Sequence, residues 1–401
     1  MFFRMLTIRR SIIAGIALLC MAACYVTLSR FPSVAELKNR CSDEIDAKDW
    51  NAAEKSATQW AAIAPDNGEP WVRLAESLSR QRKYQLAANC LERVPPSSPE
   101  SAAAALSRME LQFGPLNRPI DAAETCESIL AVHPDSTVAQ QRLIFFLTFT
   151  LQRARLARQI RSAIDTGNEP IEAYVYLFFV DSLAFSNGAE LNGRWLRGNP
   201  ESELFEVGEA IFIAEVLDFS VSLDDYEGAQ ATRAAASKKS AVMEKLLAKY
   251  PHNSELLAYN IRQSIQFGDV ASVVKLLAQV TVDAEVDPRF WRFKGWVHAQ
   301  RHQVTESESA YRRSIGLNPL EWTTRHMLAD LFQQERRFEE VKPQRDLATR
   351  GNELRRVLRH APNAKLVEPG ILKQLADYSA DCGDKQVSDG LRRHIHIESD
   401  P

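Results

Sequence analysis

Apolar residues recur along this chain with the spacing of paired amphipathic helices. From Trp71 to Leu78 they occupy positions i, i+3, i+4 and i+7, which lie on one face of a helix, and the stretch from Tyr84 to Val94 repeats that spacing. Only the polar stretch "SRQRK" separates the two, so the helices must lie antiparallel. Pro99 then closes the segment, since proline cannot continue a helix. This stretch therefore predicts one helical hairpin.

The same pattern recurs on both sides of this hairpin. It appears upstream at residues 37–65 and downstream at 122–134, and residues 291–319 form a second strong copy. Residues 256–277 and 371–395 give weaker hairpins, each turned by a Gly-Asp pair. Because a lone hairpin cannot bury its apolar side, each one must pack against the next. The pattern predicts an all-α stack of hairpins.

The middle of the chain is more apolar than the rest. Residues 171–185 and 203–219 carry too few polar positions for helices with one exposed face, so we expect both to be buried on two faces and to form an inner core. Residues 280–286, "VTVDAEV", are the only stretch with a strand-like composition.

The hairpin at Trp71 resembles the tetratricopeptide repeat, whose 34-residue pattern places Trp, Leu, a small residue, Ala and a closing Pro at fixed offsets. The resemblance implies an α-solenoid of stacked antiparallel helical hairpins, a superhelix whose concave face is lined by the first helix of each pair. The residues that carry the resemblance are Trp71, Leu74, Ala75, Leu78, Ala87, Leu91, Val94 and Pro99.

The resemblance also implies that the concave face binds a protein or peptide partner. Arg289 and Arg292 beside Trp296 suit an acidic or aromatic peptide, which they would bind by charge-assisted hydrogen bonds and stacking. Alternatively, Trp296 packs against the next hairpin and both arginines are solvated. The predicted partner-binding residues are Glu69, Val72, Glu76, Arg289, Arg292, Trp296 and His326.

An uncharged stretch at residues 12–28 precedes the repeats. As a helix it would be about 25 Å long, slightly short of a bilayer core of about 30 Å, although Arg10 and Arg30 could reach the interfaces. More arginines precede the stretch, as in a secretory signal. We expect a single N-terminal hydrophobic helix that anchors the chain and leaves its body on the extracytoplasmic side.

The sequence "MAAC", which ends at Cys24, resembles the cleavage box of bacterial lipoproteins. A retained anchor, a lipidated Cys24 and simple cleavage therefore all stay open. Each outcome brings the body of the protein to a membrane or across it.

Composition excludes several classes of function. Hydrophobic residues make up 45% and charged residues 25% of the 401, which is ordinary for a folded protein. The net charge of −3 arises from 49 basic and 52 acidic residues that are intermixed, so we expect no nucleic-acid partner.

Motifs for catalysis or cofactor binding are missing from the sequence. It contains no glycine-rich phosphate loop, no His-Glu-x-x-His and no serine nucleophile elbow, so we expect no enzyme, no cofactor, no metal and no small-molecule substrate. Cys41, Cys90, Cys126 and Cys382 are far apart and fall in amphipathic patterns, which predicts buried apolar roles. The terminal "HIH" at residues 394–396 is interpreted as a frayed tail.

These patterns divide the chain into five parts. We predict an anchor or signal segment at 1–30, repeats at 34–168, divergent apolar hairpins at 169–250, repeats at 251–350, and a degenerate capping repeat with a tail at 351–401.

Three functions remain open at this point. The first is a membrane-tethered scaffold that holds a partner in its concave groove. The second is a structural component of an envelope-assembly or polymer-export complex, which would use the convex side. The third is an enzyme within the apolar middle of the chain.

Overall fold

A computed structural model shows that the described chain consists of α-helices and short 3-10 helices, with no strand among the described residues. It forms two compact units, Met1–Leu116 (unit 1) and Asn117–Pro401 (unit 2). No helix in the described part is long and apolar enough to cross a membrane. The predicted anchor at residues 12–28, with Cys24, lies outside that part. The described residues are 32–183, 185–219, 240–359 and 364–399.

Unit 1 consists of antiparallel helices around a core of small and aliphatic side chains. Ala57 and Ala87 are fully buried and Ala75 is nearly so, which lets neighbouring helix axes approach closely, while Leu74 and Leu91 fill the space between them. Its helices are α1 (Val34–Asp46), α2 (Trp50–Ile63), α3 (Gly68–Arg80), α4 (Tyr84–Glu92) and α5 (Ser101–Phe113).

Unit 2 continues the pattern of helical pairs over a longer stretch of chain. Its first helices are α6 (Pro119–Val132), α7 (Thr137–Phe149), α8 (Arg153–Thr166), α9 (Ile171–Phe178), α10 (Gly188–Gly198) and α11 (Glu203–Phe219). After helical residues 240–249 follow α12 (Ser254–Gln266), α13 (Val270–Leu277), α14 (Pro288–Gln300), α15 (Val304–Leu317), α16 (Trp322–Gln334), α17 (Phe338–Arg359), α18 (Pro369–Asp381) and α19 (Lys385–Ser399).

The two strong copies share their local contacts. The indole N–H of Trp71 donates to the carbonyl of Pro65 at 3.0 Å, and that of Trp291 donates to Glu285 at 2.8 Å, six residues upstream in both cases. Gly295 takes the place of Ala75 because a Cβ there would lie 2.5 Å from the ring of Tyr311. The residues that predicted a second copy therefore make equivalent contacts.

A common three-residue turn joins the helices of seven pairs. Its middle residue has a positive φ, which reverses the chain within one residue and lets the two helices pack directly. Glycine adopts this conformation without a steric cost. In the other residues it strains the backbone, and the packing of the two helices offsets that strain. The middle residues are Lys48, Arg82, Leu151, Gly268, His302, Arg336 and Gly383.

The burial predicted for the cysteines is confirmed at three of four positions, and the stretch of strand-like composition does not form a strand. Cys41, Cys126 and Cys382 are buried, as the amphipathic pattern indicated, and Cys90 is half-buried. The strand-like stretch at 280–286 instead contains a 3-10 helix, Val282–Val286, which leads into α14. Its valines do not pair with another strand, and Val282 is largely exposed.

Residues 171–183, which we term the inner segment, lie in the core of unit 2. They comprise α9 and the 3-10 helix Val180–Ser182, and all but two of them are buried. Side chains from several helices reach this segment, among them Arg153 of α8, Arg292 of α14 and Arg355 of α17. The prediction that residues 171–185 are buried on two faces is confirmed for residues 171–183, whereas in the second apolar run Ile213 of α11 is 46% exposed.

The last helix of unit 2 packs against α8, far back in the sequence. The two terminal guanidinium nitrogens of Arg161 donate to the carboxylate of Asp384 at 3.0 and 2.6 Å. Arg393 donates to the carbonyl of Ile164 at 2.7 Å. His394 contacts Glu169 at 3.3 Å. The interpretation of this region as a frayed tail is wrong, because α19 continues to Ser399 and closes one side of unit 2.

Candidate functional site

The first predicted surface lies on α3 in unit 1. Glu69 and Glu76 lie two turns apart on this helix, with side chains 25% and 35% exposed, and Val72 between them is half-buried against the core. Glu69 pairs with Lys38 of α1 at 2.6 Å, and Glu76 pairs with Arg73 at 3.4 Å. These carboxylates remain open to solvent and reachable from outside.

The charge of this surface is predominantly negative. Burial, together with the carboxylates of Glu44, Glu76 and Glu69, raises the pKa of the nearby Cys41 thiol to about 11, while Arg73 opposes them. One carboxylate oxygen of Glu44 is buried and receives no hydrogen bond. The surface between α1 and α3 therefore favours a ligand that brings positive charge or hydrogen-bond donors.

The second predicted surface, on α14, is not open in this way. The Arg289 side chain is only 5% exposed and bonds Asp287 and Glu255, while Arg153 holds Glu255 from the other side at 2.9 Å. Burial alone would raise the pKa of Glu255, but the two guanidinium groups outweigh it and hold that pKa at about 2. Arg289 is thus part of a buried ion-pair network within unit 2.

Arg292 is held in the same interior. Its side chain is 9% exposed and lies 3.1 Å from Glu321 and 3.5 Å from Asp181 of the inner segment. Burial and the neighbouring Glu321 raise the pKa of Asp181 to about 6, whereas Arg292 and hydrogen bonds from α16 keep the pKa of Glu321 at about 2. The chain's own acidic and aromatic segment therefore contacts Arg292.

Trp296 and His326 lie apart from these ion pairs. Trp296 is half-buried and packs on the cluster that includes Phe293 and Val297, which belongs to its own helix and the preceding hairpin. The alternative interpretation expected it to pack on the next hairpin and both arginines to be solvated, but both arginines are buried. His326 is exposed, 3.4 Å from Asp330, and lines a cleft of about 460 Å³. The partner-binding roles given to the seven residues from the sequence stay predictions.

Sequence reasoning missed the acidic partners of the buried arginines. Arg153 pairs with Glu255, and Arg292 pairs with Asp181 and Glu321. The longest of these separations, from Asp181 to Arg292, is 111 residues, and no local pattern links the partners. A signal was present at one of them, since Asp181 ends a long apolar run. A charged residue in such a position needs a partner of opposite charge.

No group of His, Cys, Asp and Glu within the described residues is arranged to hold a metal ion.

The architecture is that of paired antiparallel helices, and one family profile matches part of it. The tetratricopeptide repeat profile matches residues 44–109, which lie within unit 1. No curated protein matches the chain.

Several solved helical structures align with the chain at low similarity. A tetratricopeptide repeat protein from Parabacteroides merdae is 14% identical over 75% of this chain and 98% of its own, with a TM-score of 0.26. Yeast Tom70 is 14% identical over 91% and 76%, with a TM-score of 0.29. Cut9 in the APC/C hetero-tetramer Cut9–Hcn1 is 12% identical over 93% and 80%, with a TM-score of 0.33. Such low scores give no basis for assigning function.

Proposed function

We propose that this protein is a helical-repeat scaffold that binds a basic segment of a partner protein on the α1–α3 surface of unit 1. The observation that carries the proposal is a difference in access. Glu69 and Glu76 are part-exposed, whereas Arg289 and Arg292 on α14 are buried against the chain's own residues. A partner can therefore reach Glu69 and Glu76 without any rearrangement of the helices.

Two further observations support this proposal. The tetratricopeptide repeat match falls on the helices of unit 1, and repeats of this kind are expected to bind partners through the first helix of each pair. In addition, three carboxylates act on Cys41, those of Glu44, Glu69 and Glu76, and two of them are paired with the exposed basic residues Lys38 and Arg73. A lysine or arginine from a partner would relieve the repulsion among these carboxylates.

Charge reversal on α3 is expected to remove the partner. In a chain with both Glu69→Lys and Glu76→Lys, capture of a partner from detergent-solubilised membranes should fall by about tenfold or more, because like charges then face each other. The measurement is affinity capture followed by quantitative mass spectrometry.

Glu92→Lys is the matched control, since it also breaks an exposed ion pair in unit 1, with Arg108 at 2.9 Å, but on α4. Its captured proteins should equal those of the wild type. If both variants retain the same proteins, the α3 surface does not bind them. The second function, a structural component of an envelope-assembly or polymer-export complex, is then the better explanation.

We also propose that residues 12–28 tether the scaffold to a membrane, with its body on the extracytoplasmic side. The uncharged length and the preceding arginines support this. Tethering would raise the effective concentration of the scaffold near a membrane-bound partner. Deleting residues 12–28 should move the protein to the soluble fraction with its helical circular dichroism intact, and persistent sedimentation with membranes would contradict the tether.

A further inference from the structure

A cavity of about 240 Å³ lies beside α8 in unit 2. Ala154 and Ala157 form its helical wall, and their small side chains let another backbone come close. Leu177 and Val180 of the inner segment and the half-exposed Val286 complete the apolar lining. A second cavity, of about 300 Å³, shares Arg153, Ala154 and Asp287 with it.

Five charged side chains line this cavity, and four of them are paired within unit 2, Asp181 with Arg292 and Asp287 with Arg289 among them. Arg153 is bonded to Glu255, and Arg161 is bonded to Asp384. Arg158 is exposed at the rim, and no ion pair joins it to another residue of the described chain. The rim therefore carries one uncompensated positive charge, which favours an acidic ligand group.

The cavity wall also holds an acceptor with unused capacity. Asp181 is 94% buried at its side chain, and no described residue donates a hydrogen bond to its Oδ2. Its ion pair with Arg292, at 3.5 Å, is too long for a hydrogen bond. A backbone N–H from a bound peptide would satisfy this carboxylate.

We propose that this cavity binds an extended segment of a partner protein, with an apolar side chain against Ala154 and Ala157 and an acidic side chain beside Arg158. A volume of about 240 Å³ accommodates one large apolar side chain with part of its backbone. The site lies entirely within unit 2 and does not depend on the α1–α3 surface of unit 1.

A phage-displayed library of random heptapeptides, selected on the full chain, tests this proposal. The wild type should enrich peptides that carry Asp or Glu beside a large apolar residue. Arg158→Glu reverses the rim charge and Ala157→Trp fills the cavity, so each should lower that enrichment by about tenfold or more. Arg197→Glu, the same change at another exposed arginine of unit 2, should leave the enrichment as it is in the wild type.

Peptides that bind unit 1 would be enriched equally on all of these chains, so the comparison separates the two surfaces. Circular dichroism should be the same for each chain. The proposal is overturned if no acidic-apolar peptides are enriched on the wild type, or if Arg158→Glu and Ala157→Trp enrich them as strongly as the wild type does.

Discussion

Replacing Arg289 with alanine is expected to lower the free energy of unfolding of unit 2 by about 3–5 kcal/mol. The substitution removes one of the two guanidinium groups that hold Glu255 and the one that holds Asp287. Both carboxylates would then lie in the interior with too little positive charge beside them. The loss is larger than that of an exposed ion pair because water cannot replace the missing partner.

Urea denaturation followed by helical circular dichroism measures this effect. Arg289→Lys keeps the charge but not the forked geometry, so its loss should lie between those of alanine and wild type. Arg301→Ala, at an exposed turn next to α14, should change the free energy of unfolding by less than about 0.5 kcal/mol. An equally small effect of Arg289→Ala would contradict the buried network.

The pH dependence has a definite sign. The pKa of Glu255 in the folded wild type is about 2, below its unfolded value of about 4.3, so its contribution is present above pH 4.3 and lost as the pH falls through 2. Without Arg289 the folded protein protonates Glu255 at a higher pH. The difference in stability between wild type and Arg289→Ala should therefore shrink as the pH is lowered toward 2.

Reversing the charge of Arg161 is expected to release α19 from α8. Asp384 is only 4% exposed at its side chain, which accepts from Arg161 at 3.0 and 2.6 Å and from the backbone N–H of Val387 at 3.3 Å. With glutamate at position 161, two like charges would meet in a largely buried place. Amide hydrogens of α19 should then exchange about a hundredfold faster, while those of α14 keep their protection.

Arg158→Glu provides the control for this experiment. It makes the same change one turn earlier on α8, at an exposed position that pairs with no described residue. Exchange in α19 should stay at the wild-type rate in this variant. Unchanged exchange in Arg161→Glu would mean that Gly390, packed tightly against Tyr174 and Ile164, holds the helix without the ion pair.

Much of the fold followed from the spacing of apolar residues. Helix pairs form where the pattern predicted them because each pair hides its apolar side only against a neighbour. The equivalent hydrogen bonds of Trp71 and Trp291 show that two distant stretches adopt one local structure. Composition was a poor guide at Val282–Val286, where two exposed valines lie in a 3-10 helix.

The turns illustrate what sequence alone could not supply. Gly268 and Gly383 marked two of the reversals, because glycine adopts a positive φ readily. Arg82, Leu151 and His302 take the same conformation without any such signal. The packing of the helices on either side imposes this backbone strain. The positive φ therefore could not be predicted from the residue types at these positions.

The candidate site could be predicted only in part. Glu69 and Glu76, which the repeat pattern placed between the core positions of α3, are part-exposed, and their partner-binding role stays a prediction. The same reasoning could not foresee that Asp181 and Glu255 would enclose the arginines of α14, because those contacts depend on how distant helices fold back. The apolar run before Asp181 indicated a buried segment, but not what it would touch.

Hydrogen exchange of the inner segment, measured by mass spectrometry on the full chain, tests the central claim most directly. If residues 171–183 fill the interior of unit 2, the amides of α9 should exchange as slowly as those of α14, because both open only when unit 2 unfolds. Exchange of α9 within seconds, while α14 stays protected, would contradict the account. The segment would then lie outside the core, and Arg292 would be free to meet a partner.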